Sequence, residues 1–310
     1  MAFLILSALI VLQLHASNHA RAMSYNCSDQ PAGAFQPIEL VSESGALRLS
    51  FIPYGGTVTS LVFGVQNGEI ASLIQVQNLR MPYILLLNRV FWNFTFQGFN
   101  TSSVDVVLGF DDPAQYCENA LHPYFGALIG RIANRIPNGT FVLGNSTYHT
   151  PINEPSPTGG NDTLHGGAVG FDRRVWTVEK TSTHSAKLRL KSADGDQGFP
   201  GMMHIEVTYT LDDTTWWIDY SATSEMDTVV SLTQHTYWNL NGCQDSVLEH
   251  VIWMPQANSF VQVDKFLLPT GVFQSVDDVP AMDFRMPRTV GSCIENATAA
   301  ADSGGGKTNE

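Results

Sequence analysis

Two histidines stand in segments suited to proton transfer beside a polar ligand. His165 precedes Gly166-Gly167, where the missing Cβ atoms let backbone approach a ligand closely. His235 lies in Thr233-Gln234-His235-Thr236-Tyr237-Trp238-Asn239-Leu240, a strand-like run with hydroxyl and aromatic neighbours. An imidazole titrates near neutrality, so either ring can give or accept a proton at working pH. Upstream, Gly130-Arg131-Ile132-Ala133-Asn134-Arg135-Ile136 sets two guanidiniums and an amide in an otherwise uncharged stretch. An arginine there is either a structural anchor or a forked donor to hydroxyl oxygens. Tyr237, Trp238 and Trp176 offer apolar faces on which a sugar ring can pack. A lone strand histidine is more often a core residue, and His-Gly-Gly also serves simple turns. Taken together, the segments point to a sugar-binding and proton-transfer site.

The elements that must position these groups read as strands. Leu47 to Phe51, Ala186 to Lys191 and His204 to Tyr209 alternate apolar with polar residues, as half-buried antiparallel strands do. Phe141-Val142-Leu143 and Thr147-Tyr148 flank Gly144-Asn145-Ser146, a hairpin signal. Trp216 to Tyr220 and Val229 to Leu232 continue the series. No repeat or linker interrupts it, so the expected fold is all-β, one large antiparallel sandwich over residues 23–296. Residues 74–99 fit neither alternation nor helical spacing and read as an atypical insertion. Residues 297–310 are small and polar around Gly304-Gly305-Gly306, a composition expected to stay disordered.

Composition narrows the setting. The 310 residues carry 29 acidic and 16 basic side chains, a net charge of −13. Such a surface repels phosphate backbones and anionic lipid, which argues against nucleic-acid and membrane partners but not against a neutral ligand. Phe3 to Leu14 is an unbroken apolar run, and Ala20-Arg21-Ala22 has the form of a cleavage site, so residues 1–22 read as a signal peptide. Asn26, Asn93, Asn100, Asn138, Asn145, Asn161 and Asn296 each open an N-x-S/T sequon, which suits a secreted, extracellular glycoprotein. Cys27, Cys117, Cys243 and Cys293 allow up to two disulfides in three connectivities.

One series of segments is specific. Asp105-Val106-Val107-Leu108-Gly109-Phe110-Asp111, His122-Pro123-Tyr124-Phe125-Gly126, the Gly130–Ile136 run, Leu164-His165-Gly166-Gly167 with Gly170-Phe171-Asp172, the His235 segment and Leu268-Pro269-Thr270-Gly271 follow one another. In content and order they resemble the aldose 1-epimerases, or galactose mutarotases, from about Tyr54 to Arg285. The resemblance implies a galactose-mutarotase-like supersandwich with a cleft on one face. It implies interconversion of the α and β anomers of hexoses such as glucose and galactose, with no metal or organic cofactor. His235 would be the general acid that protonates the ring oxygen, and His165 would orient the sugar beside it. Asn134 and Arg135 would bind hydroxyls, with Thr236 and Tyr237 lining the site. The partner implied is a hexopyranose monosaccharide, handled by a monomer or dimer.

The sequence departs from the family pattern towards its C-terminus. The family's base is a glutamate near the end of the chain, preceded by a substrate-binding aspartate in a Y/F-D-H-N segment. Neither segment follows Asp283-Phe284-Arg285 here, and Glu295 and Glu310 lack the surrounding motif. The expectation is therefore a C-terminally truncated sandwich without its general base glutamate. That leaves a rival reading, a carbohydrate-binding protein impaired in catalysis. A glycoside hydrolase would need two facing carboxylates. The pairs Asp111-Asp112, Asp212-Asp213 and Asp277-Asp278 are adjacent residues, which in a strand point to opposite faces.

Overall fold

A computed structural model describes residues 27–64, 69–76, 79–80, 90–97, 103–119, 123–155, 161–264 and 266–294. The expected signal peptide, the 297–310 tail and His122 lie outside them. The described residues divide into two compact units, the first ending at Cys243 and the second beginning at Gln244.

The first unit is built almost wholly of strands. They are β1 (Ile38–Val41), β2 (Leu47–Ile52), β3 (Thr57–Gly64), β4 (Glu69–Val76), β5 (Leu79–Arg80), β6 (Val90–Gln97) and β7 (Ser103–Asp105). Next come β8 (Leu128–Ile129), β9 (Arg135–Ile136), β10 (Thr140–Leu143), β11 (Ser146–His149), β12 (Glu154–Pro155) and β13 (Asn161–Leu164). The series ends with β14 (Thr177–Lys180), β15 (Ser185–Ser192), β16 (Met203–Leu211), β17 (Trp216–Ser224) and β18 (Thr233–Gln234). β4 and β6 pair antiparallel from Glu69↔Gln97 to Val76↔Val90, so residues 74–99 hold the end of β4 together with β5 and β6. β5 lies parallel to β17.

Two sheets make the sandwich. One runs β1-β2-β3-β7 and the other β14-β15-β16-β17-β5. The alternation seen in the sequence is the reason they pack. In β16 every second side chain from Met203 to Leu211 is buried. In β2, Leu47, Leu49 and Phe51 point inwards. These rows meet in one apolar cluster with Val58, Leu61, Leu188, Trp216, Ile218 and Tyr220. Each fully buried side chain of this size contributes about 1.5–3 kcal/mol over leaving it exposed. Tyr209 closes the joint by donating its hydroxyl to the carbonyl of Gly56 at 2.9 Å.

Two expectations change on contact with the structure. Val229 to Leu232 forms no strand and makes a single bridge, Ser231 to Ile132, held by the Ser231 N–H on the Arg131 carbonyl and the Ala133 N–H on the Ser231 carbonyl. Trp176 is 2% exposed and donates its ring N–H to the Phe171 carbonyl, so it belongs to the core and offers no face to a ligand. Of the cysteines, Cys27 and Cys117 are bridged, while Cys243 and Cys293 are free thiols. The hairpin appears as expected, β10 pairing with β11 around Gly144-Asn145.

The second unit holds β19 (Val251–Ile252), β20 (Ser259–Val263), β21 (Pro269–Ser275) and β22 (Arg288–Thr289). β20 and β21 form a hairpin, and β19 pairs with β22. The Leu268-Pro269-Thr270-Gly271 segment begins β21. Asp264 shapes the turn before it, accepting from the backbone N–H of Phe266 and of Leu268. Arg285 clamps Asp283 at 2.8 Å and Asp277 at 2.5 Å, and that hydrogen bonding holds the Asp283 carboxyl down at about 2.

Candidate active site

Short strands outside the two large sheets lead into the histidines. β18 pairs with β8, Thr233 opposite Ile129. Beyond the ladder, the His235 N–H donates to the Ala127 carbonyl, and its own carbonyl accepts from Gly126. The His235 backbone is thereby fixed on both sides. Gly126 has to be glycine, since at φ +62° a Cβ would sit 1.9 Å from the Val58 carbonyl oxygen.

His165 is held by the turn that follows β13. β13 pairs with β9, Leu164 opposite Arg135, which brings the Asn-Arg segment alongside the histidine. Gly166 takes φ +90°, and a Cβ there would fall 1.8 Å from the Gly130 carbonyl oxygen. Asn134 and His165 both adopt left-handed backbone, φ 69° and 52°. They grip each other. The His165 N–H donates to the Asn134 carbonyl at 3.0 Å, and the Asn134 N–H donates to His165 Nδ1 at 3.0 Å. A backbone amide can only donate, so Nδ1 must accept. The neutral ring therefore carries its proton on Nε2.

The two imidazoles meet edge to face with ring centres 5.1 Å apart. Tyr124 touches both, at 4.7 Å from His165 and 5.9 Å from His235, and Tyr237 lies 5.1 Å from His235. Burial lowers the pKa of His235 below its ordinary value and raises those of Tyr124 and Tyr237. His235 is thus a neutral base at rest and, once protonated, a stronger acid than free imidazole. Tyr124 also borders a cavity of about 10 Å³ with Thr57, Phe110 and Asp172, room for one water and not for a hexose.

Arg131 and Arg135 are four residues apart and do different things. Arg131 is 1% exposed. Its guanidinium donates to the carbonyls of Ser192, Ala193 and Pro200 and to the hydroxyls of Ser192 and Thr228. It is the structural anchor. Arg135 is half-buried, donating to both oxygens of Glu154 at 2.7 Å and to Asn134 Oδ1 at 3.1 Å.

The structure thus brings together His165, His235, Asn134, Arg135 and Tyr237. Thr236 is turned aside, its hydroxyl donating to Gln234 Oε1 at 2.5 Å. Three contributors escaped the sequence reading: Tyr124, Asn153 and Glu154. Asn153 braces the histidine turn, donating to the carbonyls of Leu164 and Gly167 and accepting from the Leu164 N–H. Tyr124 sat in plain view within a quoted segment, but nothing in residue type distinguished it from a core aromatic.

The sequence profile of the aldose 1-epimerase family matches residues 93–303, well over half of the chain. The chain belongs to the aldose 1-epimerase family. Galactose mutarotase of Homo sapiens is 35% identical over 249 residues, covering 77% of this chain and 68% of that protein. The Sus scrofa galactose mutarotase is 33% identical over 268 residues, covering 86% of this chain and 66% of its own length. For the Mus musculus galactose mutarotase the figures are 39% over 194 residues, or 62% and 54%. The chain thus spans between about half and two thirds of the length of these relatives. Among solved structures, the GalM/aldose epimerase homologue from C. elegans superposes with a TM-score of 0.64 at 31% identity, over 82% of this chain and 65% of that one. The aldose epimerase fold is therefore the fold of this chain, an all-β sandwich.

Proposed function

We propose that this aldose 1-epimerase family member acts on hexoses such as galactose and glucose, opening and reclosing the ring so that α and β anomers interconvert. The observation that carries this reading is the histidine pair, two imidazoles 5.1 Å apart with the tautomer of one dictated by a backbone amide. His235 donates a proton to the ring oxygen as the ring opens and recovers it on closure. His165, with Nε2–H as its donor, orients the sugar, and Arg135 and Asn134 hold hydroxyls. Between the two transfers the C1–C2 bond rotates and exposes the other face of the aldehyde. The anomeric hydroxyl must lose its proton to a carboxylate. The rival reading is a sugar-binding protein without turnover, in which the same residues hold the sugar.

Polarimetry on freshly dissolved α-D-galactose separates the two. Saturable acceleration over buffer establishes the epimerase. Binding measured by calorimetry without acceleration establishes the second reading, and neither binding nor acceleration would end both.

The same proposal places the protein in the secretory route. The Cys27–Cys117 bridge supports it, as such bonds persist in oxidising compartments. So do the sequon asparagines Asn138, Asn145 and Asn161, each exposed. Asn145 occupies the hairpin tip, where a glycan meets no neighbouring strand. Expressed in a eukaryotic secretory host, the protein should enter the medium and shift on glycosidase treatment, with Asn145→Gln removing part of that shift. An intracellular product without a shift would contradict it.

A further inference from the structure

Glu154 has no part in the chemistry above, yet it is paired with Arg135 and linked through it to Asn134 and the histidines. Its side chain is 27% exposed and forms a two-pronged ion pair with Arg135, itself 16% exposed. Of the five guanidinium N–H groups, two go to Glu154 and one to Asn134 Oδ1, which leaves two for sugar hydroxyls. Asn134 then contacts His165 through its backbone, and His165 contacts His235 through its ring. The chain of contacts runs Glu154, Arg135, Asn134, His165, His235.

We infer that Glu154 is a positioning residue of the sugar site: it fixes the pose of Arg135 and balances the charge of a guanidinium that is joined through Asn134 to the histidine pair. The inference rests on the epimerase reading for its sugar half and on geometry alone for its electrostatic half. A lone cation near His235 would oppose a second positive charge, whereas a paired one opposes it little. The other groups facing His235 are the rings of Tyr124, His165 and Tyr237, and the charge of Asp172, which favours its protonated form. Asp172 is in turn 3.8 Å from Arg173. The charge of Glu154 reaches this cluster, since it acts on Tyr124. Asn153, the neighbour of Glu154, braces the His165 turn, so one short strand serves both halves of the site.

The test follows the histidine rings by nuclear magnetic resonance in the full-length chain across pH, without sugar. Glu154→Gln should lower the titration midpoint of His235 by roughly half a pH unit. Arg135→Gln should move it the opposite way, and the double variant should bring it back near the starting value. Glu154→Asp keeps the charge and should leave the midpoint in place. In a second arm, D-galactose affinity should fall about 3- to 10-fold in Glu154→Gln, the loss expected when a charge-assisted donor is mis-set. An unmoved midpoint in both folded single variants overturns the inference. If Glu154→Gln does not fold, the rise in Arg135→Gln decides alone. Midpoints that move as stated in a protein that binds no galactose would keep the electrostatic role and remove the sugar reading.

Discussion

If the chain is the epimerase proposed above, replacing His235 with asparagine is expected to slow mutarotation by about 10²- to 10⁴-fold while leaving the folded structure intact. The amide can still hydrogen-bond a ring oxygen, but it has no proton to release at neutral pH. The loss should therefore fall on turnover rather than on sugar affinity. A second signature distinguishes it from simple damage. Burial depresses the pKa of His235, so the folded state resists its protonation more than the unfolded chain does. Above the ordinary histidine value near 6.5 this costs nothing. As pH falls below that value towards the depressed one, the native state loses stability. The asparagine variant lacks this loss, so its melting temperature should decline less than that of the parent between pH 7 and pH 5. A rate reduction below tenfold, or parallel melting curves across that window, would reject the assignment. His250 is depressed by burial too and titrates in both proteins, so it cancels from the comparison.

The largest loss of stability is expected at Arg131. Converting it to methionine removes five donors at once. The carbonyls of Ser192, Ala193 and Pro200 and the hydroxyls of Ser192 and Thr228 then face an apolar side chain. Each unsatisfied buried acceptor costs about 1–3 kcal/mol, partly relieved by rearrangement, so a net loss of about 3–5 kcal/mol is expected. At 2–4 °C per kcal/mol for a chain approaching this size, that is roughly 6 to 20 °C in the melting temperature. Arg131→Lys keeps the charge but not the fork, and should fall between the two. Burial opposes the charge of Arg131, while Asp196 and Asp194 favour it. Deletion of the charge alone is therefore not what destabilises. The test is a denaturant titration of parent, lysine and methionine variants, and a methionine variant within about 1 kcal/mol of the parent would refute the anchor role.

Much of this architecture was legible in the residues. Alternation in β2, β15 and β16 is a direct consequence of burying one face of a strand, so their existence could be read before any pairing was known. The site was legible because its histidines sit in segments with unusual neighbours. What stayed hidden depended on partners far along the chain. Arg131 and Arg135 share a type and a segment, and nothing local says that one meets backbone carbonyls some 61 to 69 residues later while the other meets a carboxylate. Trp176 resembled a ligand face because a tryptophan near a site and one in a core have the same composition around them. Thr236 was expected to share the orientation of Tyr237, but successive side chains of an extended segment point opposite ways, and only Tyr237 stacks with His235.

Where β3 meets β7, Gly64 pairs with Ser103. The chain leaves the sheet and rejoins it at facing positions. Insertions or deletions in the intervening stretch therefore need not alter the pairing of β1, β2 and β3, and doubling its length would cost only about 0.6 kcal/mol in closure entropy. Length changes in the turns between its strands leave the β1-β2-β3 pairing in place, whereas a change that displaced β5 would reach β17 and the other sheet.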